Sequence, residues 1–193
     1  MNTPIKEADL VDYLRREIEP QEHPIYGKQY RAAAKLIDGA YLPCVIFQGR
    51  NSRVNLALKR FKELRWRKRE YEDVVSTFVS RGSNIANWAI ASVEQSPFAW
   101  PAAILKTIHG ETTMSWTSFV AEMVDGTLHS FGSTFSFEFF ELPEGYSYRD
   151  IKKIHSGMVY SEKNGITPYS LTSLEEAVVY RERPFFTCYL DQI

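Results

Sequence analysis

The stretch "WTSFVAEMVDGTLHSFGSTF", residues 116–135, decides how this chain is expected to fold. Val, Phe, Thr and Trp populate both halves, and such side chains suit a pleated, half-buried surface. Between the halves stands Asp125-Gly126, a dipeptide that fits the positive-φ positions of a two-residue type I′ turn. That turn sets a register: Val124 faces Thr127, Glu122 faces His129, Val120 faces Phe131, Trp116 faces Phe135 and Met114 faces Phe137. Side chains alternate between faces along a strand, so these pairs and Phe139 share one apolar face. The opposite face carries Thr113, Ser115, Thr117, Thr134, Ser136 and Glu138, joined near the turn by Phe119, Met123 and Leu128. The expected hairpin covers about 112–141.

Several helices are expected around it. Residues 4–19 have Thr3 as N-cap, Pro4 at the first helical position, an apolar stripe of Leu10, Val11, Leu14 and Ile18, and Pro20 as a stop. "QYRAAAKLID" within 27–38 reads as a short helix ending at Gly39, and "WPAAILKTIHG" as another with Gly110 past its end. "YSYRDIKKIHSG" reads as a helix capped by Ser147 and Asp150. "TSLEEAVVY" carries a second such box, Ser173 with Glu176. Strands are expected at "AYLPCVIFQG", with Pro43 at an edge or bulge, and at "VVSTFVS", "NIANWAIASVE", "MVYSEKNGIT" and "PFFTCYL". The expected class is α+β: one domain over 1–193, a mainly antiparallel sheet with the 112–141 hairpin packed against several helices, and 1–20 as a peripheral helix.

Charge is segregated along the chain. Residues 50–69 hold nine Lys or Arg against Glu63 alone, a net of +8, while the remainder carries 14 basic and 23 acidic groups, a net of −9. Residues 107–148 have six acids and no Lys or Arg. The basic stretch is expected to be a helix over roughly 52–71, with Val54, Ala57, Leu58, Phe61, Leu64 and Tyr71 as its core stripe. On a helical wheel Lys59, Lys62, Trp66 and Arg69 then share one flank, and Arg53, Arg60 and Arg67 the other. An aromatic face among cations is what a single-stranded nucleic acid needs, a π-surface for a base and positive charge for phosphates. A solvated helix face whose cations snorkel gives the same pattern, and so does docking on an acidic protein surface, including the 107–148 region of a second copy. The leading expectation is a binding protein that engages nucleic acid or another acidic partner through this helix.

An alternative is an enzyme acting on a phosphate-bearing or nucleic-acid substrate, with Glu122, His129 and Glu138 as acid/base candidates. A carboxylate facing an imidazole orients it and raises its pKa. A third reading is an adaptor subunit in a homo- or hetero-oligomer, with Phe119, Met123 and Leu128 exposed at the hairpin tip. No P-loop, G-x-S-x-G or G-x-G-x-x-G is present. His23, His109, His129 and His155 show no ligand spacing, and Cys44 and Cys188 stand far apart. No cofactor or metal is therefore expected. The N-terminus has no apolar signal region, no apolar run reaches membrane length, and two cysteines are too few for a disulfide framework. A cytoplasmic location without membrane contact is expected.

Overall fold

The computed structural model describes residues 2–23, 26–50, 59, 84–110, 112, 116–134 and 137–193. The expected basic helix, apart from Lys59, and the expected strand over 74–80 lie outside these residues. The chain divides into two compact units, Met1–Pro97 with Phe185–Ile193, and Phe98–Pro184.

The first unit is built on a six-stranded mixed sheet. Its strands are β1 (Pro20–His23), β2 (Gly27–Leu36), β3 (Tyr41–Gly49), β4 (Asn84–Ile85), β5 (Ile90–Gln95) and, from the end of the chain, β12 (Phe186–Leu190). The order is β1-β2-β3-β12-β4, with β5 also on β2, and β12 runs parallel to both of its neighbours. Helix α1 (Glu7–Glu17) lays Leu10, Val11 and Leu14 onto one sheet face with Ile18 just beyond it, among Tyr30, Ala32, Ala34, Val45, Phe47, Ile90 and Leu190. That is the stripe its sequence spacing predicts, and the helix stops before Pro20 as expected. Pro43 sits in a β-bulge. Ala32 pairs with Val45 and Ala34 with Leu42, so Pro43 and Cys44 together oppose Ala33.

The second unit contains a four-stranded sheet of order β11-β7-β6-β8, formed by β6 (Thr117–Met123), β7 (Leu128–Ser133), β8 (Ile151–Ser156) and β11 (Val179–Arg181). A separate hairpin, β9 (Met158–Ser161) with β10 (Gly165–Pro168), lies against it, and two short helices, α2 (Ala102–Leu105) and α3 (Leu171–Glu175), complete the unit. Its core is aromatic. Trp100 meets Phe131 edge-on at 5.1 Å and Phe140 at 5.3 Å, and Phe119 stacks on Phe131 at 5.4 Å.

The expected helix-packed α+β class is wrong. Among the described residues there are twelve strands and three α-helices, two of them five residues or shorter, and the architecture is mostly β with several sheets. Two expected helices are strands. "QYRAAAK" forms the middle of β2, hydrogen-bonded on both sides, with Ala32, Ala33 and Ala34 fully buried. Alanine's helix preference is worth well under 1 kcal/mol per residue, and burial between two neighbouring strands outweighs it. In "YSYRDIKKIHSG" the cap was legible and the element was not. Ser147 and Asp150 do form a capping box, but it closes one 3-10 turn before the chain enters β8. The second expected box is displaced too, and pairs Ser170 with Ser173 instead of Ser173 with Glu176.

The hairpin exists, with its register moved by one residue. Met123 donates to the Thr127 carbonyl and Gly126 donates to the Met123 carbonyl, while Gly126 sits at φ +88°. This is a three-residue loop, a turn closed by a left-handed glycine, in place of the two-residue type I′ turn. Asp125 holds the loop by accepting from the Thr127 backbone and hydroxyl and from the Tyr146 hydroxyl at 2.6 Å. Paired strands now set Phe119 against Phe131, Ala121 against His129 and Glu122 against Leu128. Strand β7 keeps its expected faces and β6 is turned over, because the side-chain period is two. Phe119 and Met123 therefore enter the core, and Ser118 takes the face covered by β9, where its hydroxyl donates to the Met158 carbonyl.

Candidate functional site

The predicted acid/base residues are not brought together. Glu122 does not face His129. The one-residue slip places it beside β8, where it accepts from Lys152 at 2.7 Å and lies 3.0 Å from His155 Nε2. The imidazole partner is thus His155, which sequence pairing missed because β8 was read as a helix. The Lys152 ammonium first, and His155 second, pull the Glu122 carboxyl down to about 2. A folded-state value below the unfolded one stabilises the fold above the ordinary carboxylate range, and this contribution is lost as pH falls toward 2. Carboxyl carbon NMR is expected to show Glu122 titrating near 2 in the native protein. In Lys152→Met the midpoint should move up toward the ordinary value. An unchanged midpoint would show that the lysine is not its partner.

Glu138 is buried, 4% exposed. The exposed apolar patch expected at the hairpin tip is absent. Phe119 and Met123 are 0% exposed, and Leu128 is partly covered. Of the candidate nucleic-acid contacts, Lys59 is helical and exposed, whereas Arg53, Arg60, Lys62, Trp66, Arg67 and Arg69 lie outside the described residues.

His129 has a setting that no pairing rule suggested. It lines an open cleft of about 780 Å³ in the second unit. One wall is the end of the hairpin loop and the start of β7, from Gly126 to Ser130, and another is the end of β9 with its turn, from Tyr160 to Lys163. Glu176, Val178 and Tyr180 close it on the side where β11 joins β7. Because β11 begins at Val179 opposite Ser130, the segment before Ser130 lies beyond its pairing, and the cleft opens there. The cleft floor is stitched by Ser130, whose hydroxyl accepts from the Tyr160 N–H at 2.7 Å and donates to the Tyr160 carbonyl. At the rim Lys163 pairs with Glu176 at 2.8 Å, and Asn164 donates to the same carboxylate.

The His129 ring stands edge-on to Tyr146 at 5.3 Å and Tyr180 at 6.0 Å. Burial lowers its pKa, against a weaker opposing pull from the Asp125 carboxylate. The imidazole is therefore neutral at pH 7, with one nitrogen to donate and one to accept. Its Nε2 is enclosed and has no hydrogen-bond partner among the described residues.

Two further features lie in the first unit. On the face away from α1, Gln29 donates to Gln48 across β2 and β3, and Arg31 beside them is 4% exposed. Cys44 and Cys188 are buried and unbridged, and burial pushes the Cys188 thiol up to about 12, which leaves it unreactive. Among the described residues, no group of three or more His, Cys, Asp or Glu is placed to hold a metal ion, and no helix is long and apolar enough to cross a membrane. Comparison with protein-family models, with curated proteins and with solved structures gives no match.

Proposed function

We infer that the protein is a binding protein that engages a polyanionic partner, nucleic acid before an acidic protein surface, through the basic segment 50–69. The observation that carries this reading is the charge segregation itself: a net of +8 in twenty residues against −9 in the rest of the chain. Such a molecule is attracted to a polyanion by one region and repelled by the others, so it binds in a preferred orientation. Trp66 supplies a stacking face within the same run of cations. A cytoplasmic location belongs to the same reading.

The test is a titration of labelled single- and double-stranded DNA and RNA at two salt concentrations. Affinity should fall with salt, since each phosphate neutralised releases condensed counterions. Trp66→Ala should weaken single-strand binding about 5- to 150-fold, the equivalent of ~1–3 kcal/mol of stacking. No binding at low salt, or a Trp66→Ala variant that binds as well as the native protein, would remove nucleic acid as the partner.

The enzyme alternative has one observation in its favour, the presence of His129 and Lys163 in one cleft. Its phosphate-bearing substrate fits that cleft poorly. Lys163 is already paired with Glu176, and Glu162 adds a second carboxylate to the lining.

A further inference from the structure

None of the residues lining the cleft of the second unit belongs to the segment 50–69 on which the nucleic-acid reading rests. We propose that this cleft takes an uncharged, planar, hydrogen-bonding small molecule of about nucleoside size. Four observations lead to this class. The volume, about 780 Å³, lies within the range of sites that enclose drug-sized molecules. The lining offers aromatic and apolar surface from Tyr160, Tyr180, Leu128 and Val178, which suits a flat ring.

The third observation is the neutral His129. Its Nε2, without a hydrogen-bond partner among the described residues, is a buried polar atom of a kind that native structures rarely leave unsatisfied. The ring packs against Tyr146 and Tyr180 and Nε2 is closed off from the open cleft, so a ligand reaches it only when the ring turns about its soft χ2 torsion. A neutral imidazole pairs equally with a ring N–H or a ring nitrogen.

The fourth observation is the charge of the lining. Lys163 and Glu176 cancel one another at 2.8 Å, and Glu162 leaves the cleft with a net of −1. That balance disfavours phosphates and other anions. Bidentate recognition of a polyol is also poorly served, since the Glu176 carboxylate is already held by Lys163 and Asn164. A neutral heterocycle satisfies the imidazole and the aromatic walls without meeting these charges.

The experiment follows side-chain NMR signals of His129, Tyr160 and Tyr180 in the full chain during titration with adenosine and with uridine. Adenosine 5′-monophosphate and maltose serve as comparison probes. At least one nucleoside should shift those three residues together, and the monophosphate should bind about tenfold more weakly because its charge meets the uncompensated Glu162. Glu162→Gln should narrow that gap, and His129→Asn should weaken nucleoside binding. Trp66→Ala should leave nucleoside binding unchanged, which separates failure here from failure of the nucleic-acid reading. The proposal is overturned if neither nucleoside shifts these signals, if the monophosphate binds as tightly as adenosine, or if maltose binds and neither nucleoside does. The native protein alone decides these outcomes, so a variant that fails to fold does not rescue the proposal.

Discussion

Trp100→Ala is expected to destabilise the second unit by about 3–5 kcal/mol, the range for deleting a large buried aromatic side chain. Trp100 is 1% exposed and touches three other rings of the core, Phe119, Phe131 and Phe140. Two of these, Phe119 and Phe131, are a cross-strand pair, so the indole braces the hairpin itself as well as filling volume. Edge-to-face aromatic pairs add about 0.5–1.5 kcal/mol each beyond the area they bury. Domains are stable by only about 5–15 kcal/mol, so the loss takes most of that margin. Thermal unfolding followed through second-unit amide signals should show a midpoint lowered by more than about 10 °C. A shift of a degree or two would mean that the aromatic cluster is not the core of this unit.

Gly132→Ala is expected to destabilise by about 1–3 kcal/mol through overpacking. The direction is the informative part. Gly132 has no positive φ, and at such positions replacing glycine by alanine commonly stabilises by about 0.4–1 kcal/mol because the unfolded chain loses freedom. Here a Cβ would overlap Cζ2, Cη2 and Cε2 of the Trp116 indole. That indole also carries the Arg181 guanidinium on its face at 4.8 Å. Making room for one methyl therefore displaces the ring and disturbs the cation–π contact with it. Denaturant unfolding of the two single variants and the double variant with Trp116→Ala measures the coupling. The alanine should cost little once the indole is gone. A Gly132→Ala protein as stable as the native one, with Trp116 in place, would refute the packing.

The hairpin shows how close the sequence came to its own register. Asp125-Gly126 marked the turn, and the turn is there. The dipeptide rule chose a two-residue loop, and the apolar pattern of β6 was the evidence against it. Phe119, Ala121 and Met123 form the more apolar side of that strand, and they can join Phe131 only if the loop has three residues. Giving the face of the strand priority over the turn dipeptide would have found the register. It would also have separated Glu122 from His129. The Glu122–His155 contact needs one fact more, that "IKKIHS" lies beside β6, and its lysines and isoleucines read equally well as an amphipathic helix.

The cleft was not legible at all. His129, Tyr160, Lys163, Glu176 and Tyr180 come from three separate parts of the second unit, and no spacing within any one of them announces the others. Their convergence depends on β11 joining β7 in parallel and beginning short of the hairpin loop. Contacts of that kind are set by chain topology rather than by local preference.

By itself the sequence determined local chemistry: the stripe of α1, its stop before Pro20, an edge or bulge at Pro43, the place of the hairpin turn, the Ser147–Asp150 cap and the charge segregation of 50–69. Each is fixed by side chains within a few residues of one another. Tertiary structure decided which preference lost. Alanines became the middle of a sheet because both edges of β2 found partners, and β6 turned over because its odd-numbered side chains bury better. Helix propensities differ by tenths of a kcal/mol per residue, while burying one apolar side chain is worth about 1.5–3 kcal/mol. Where the two conflict, burial prevails.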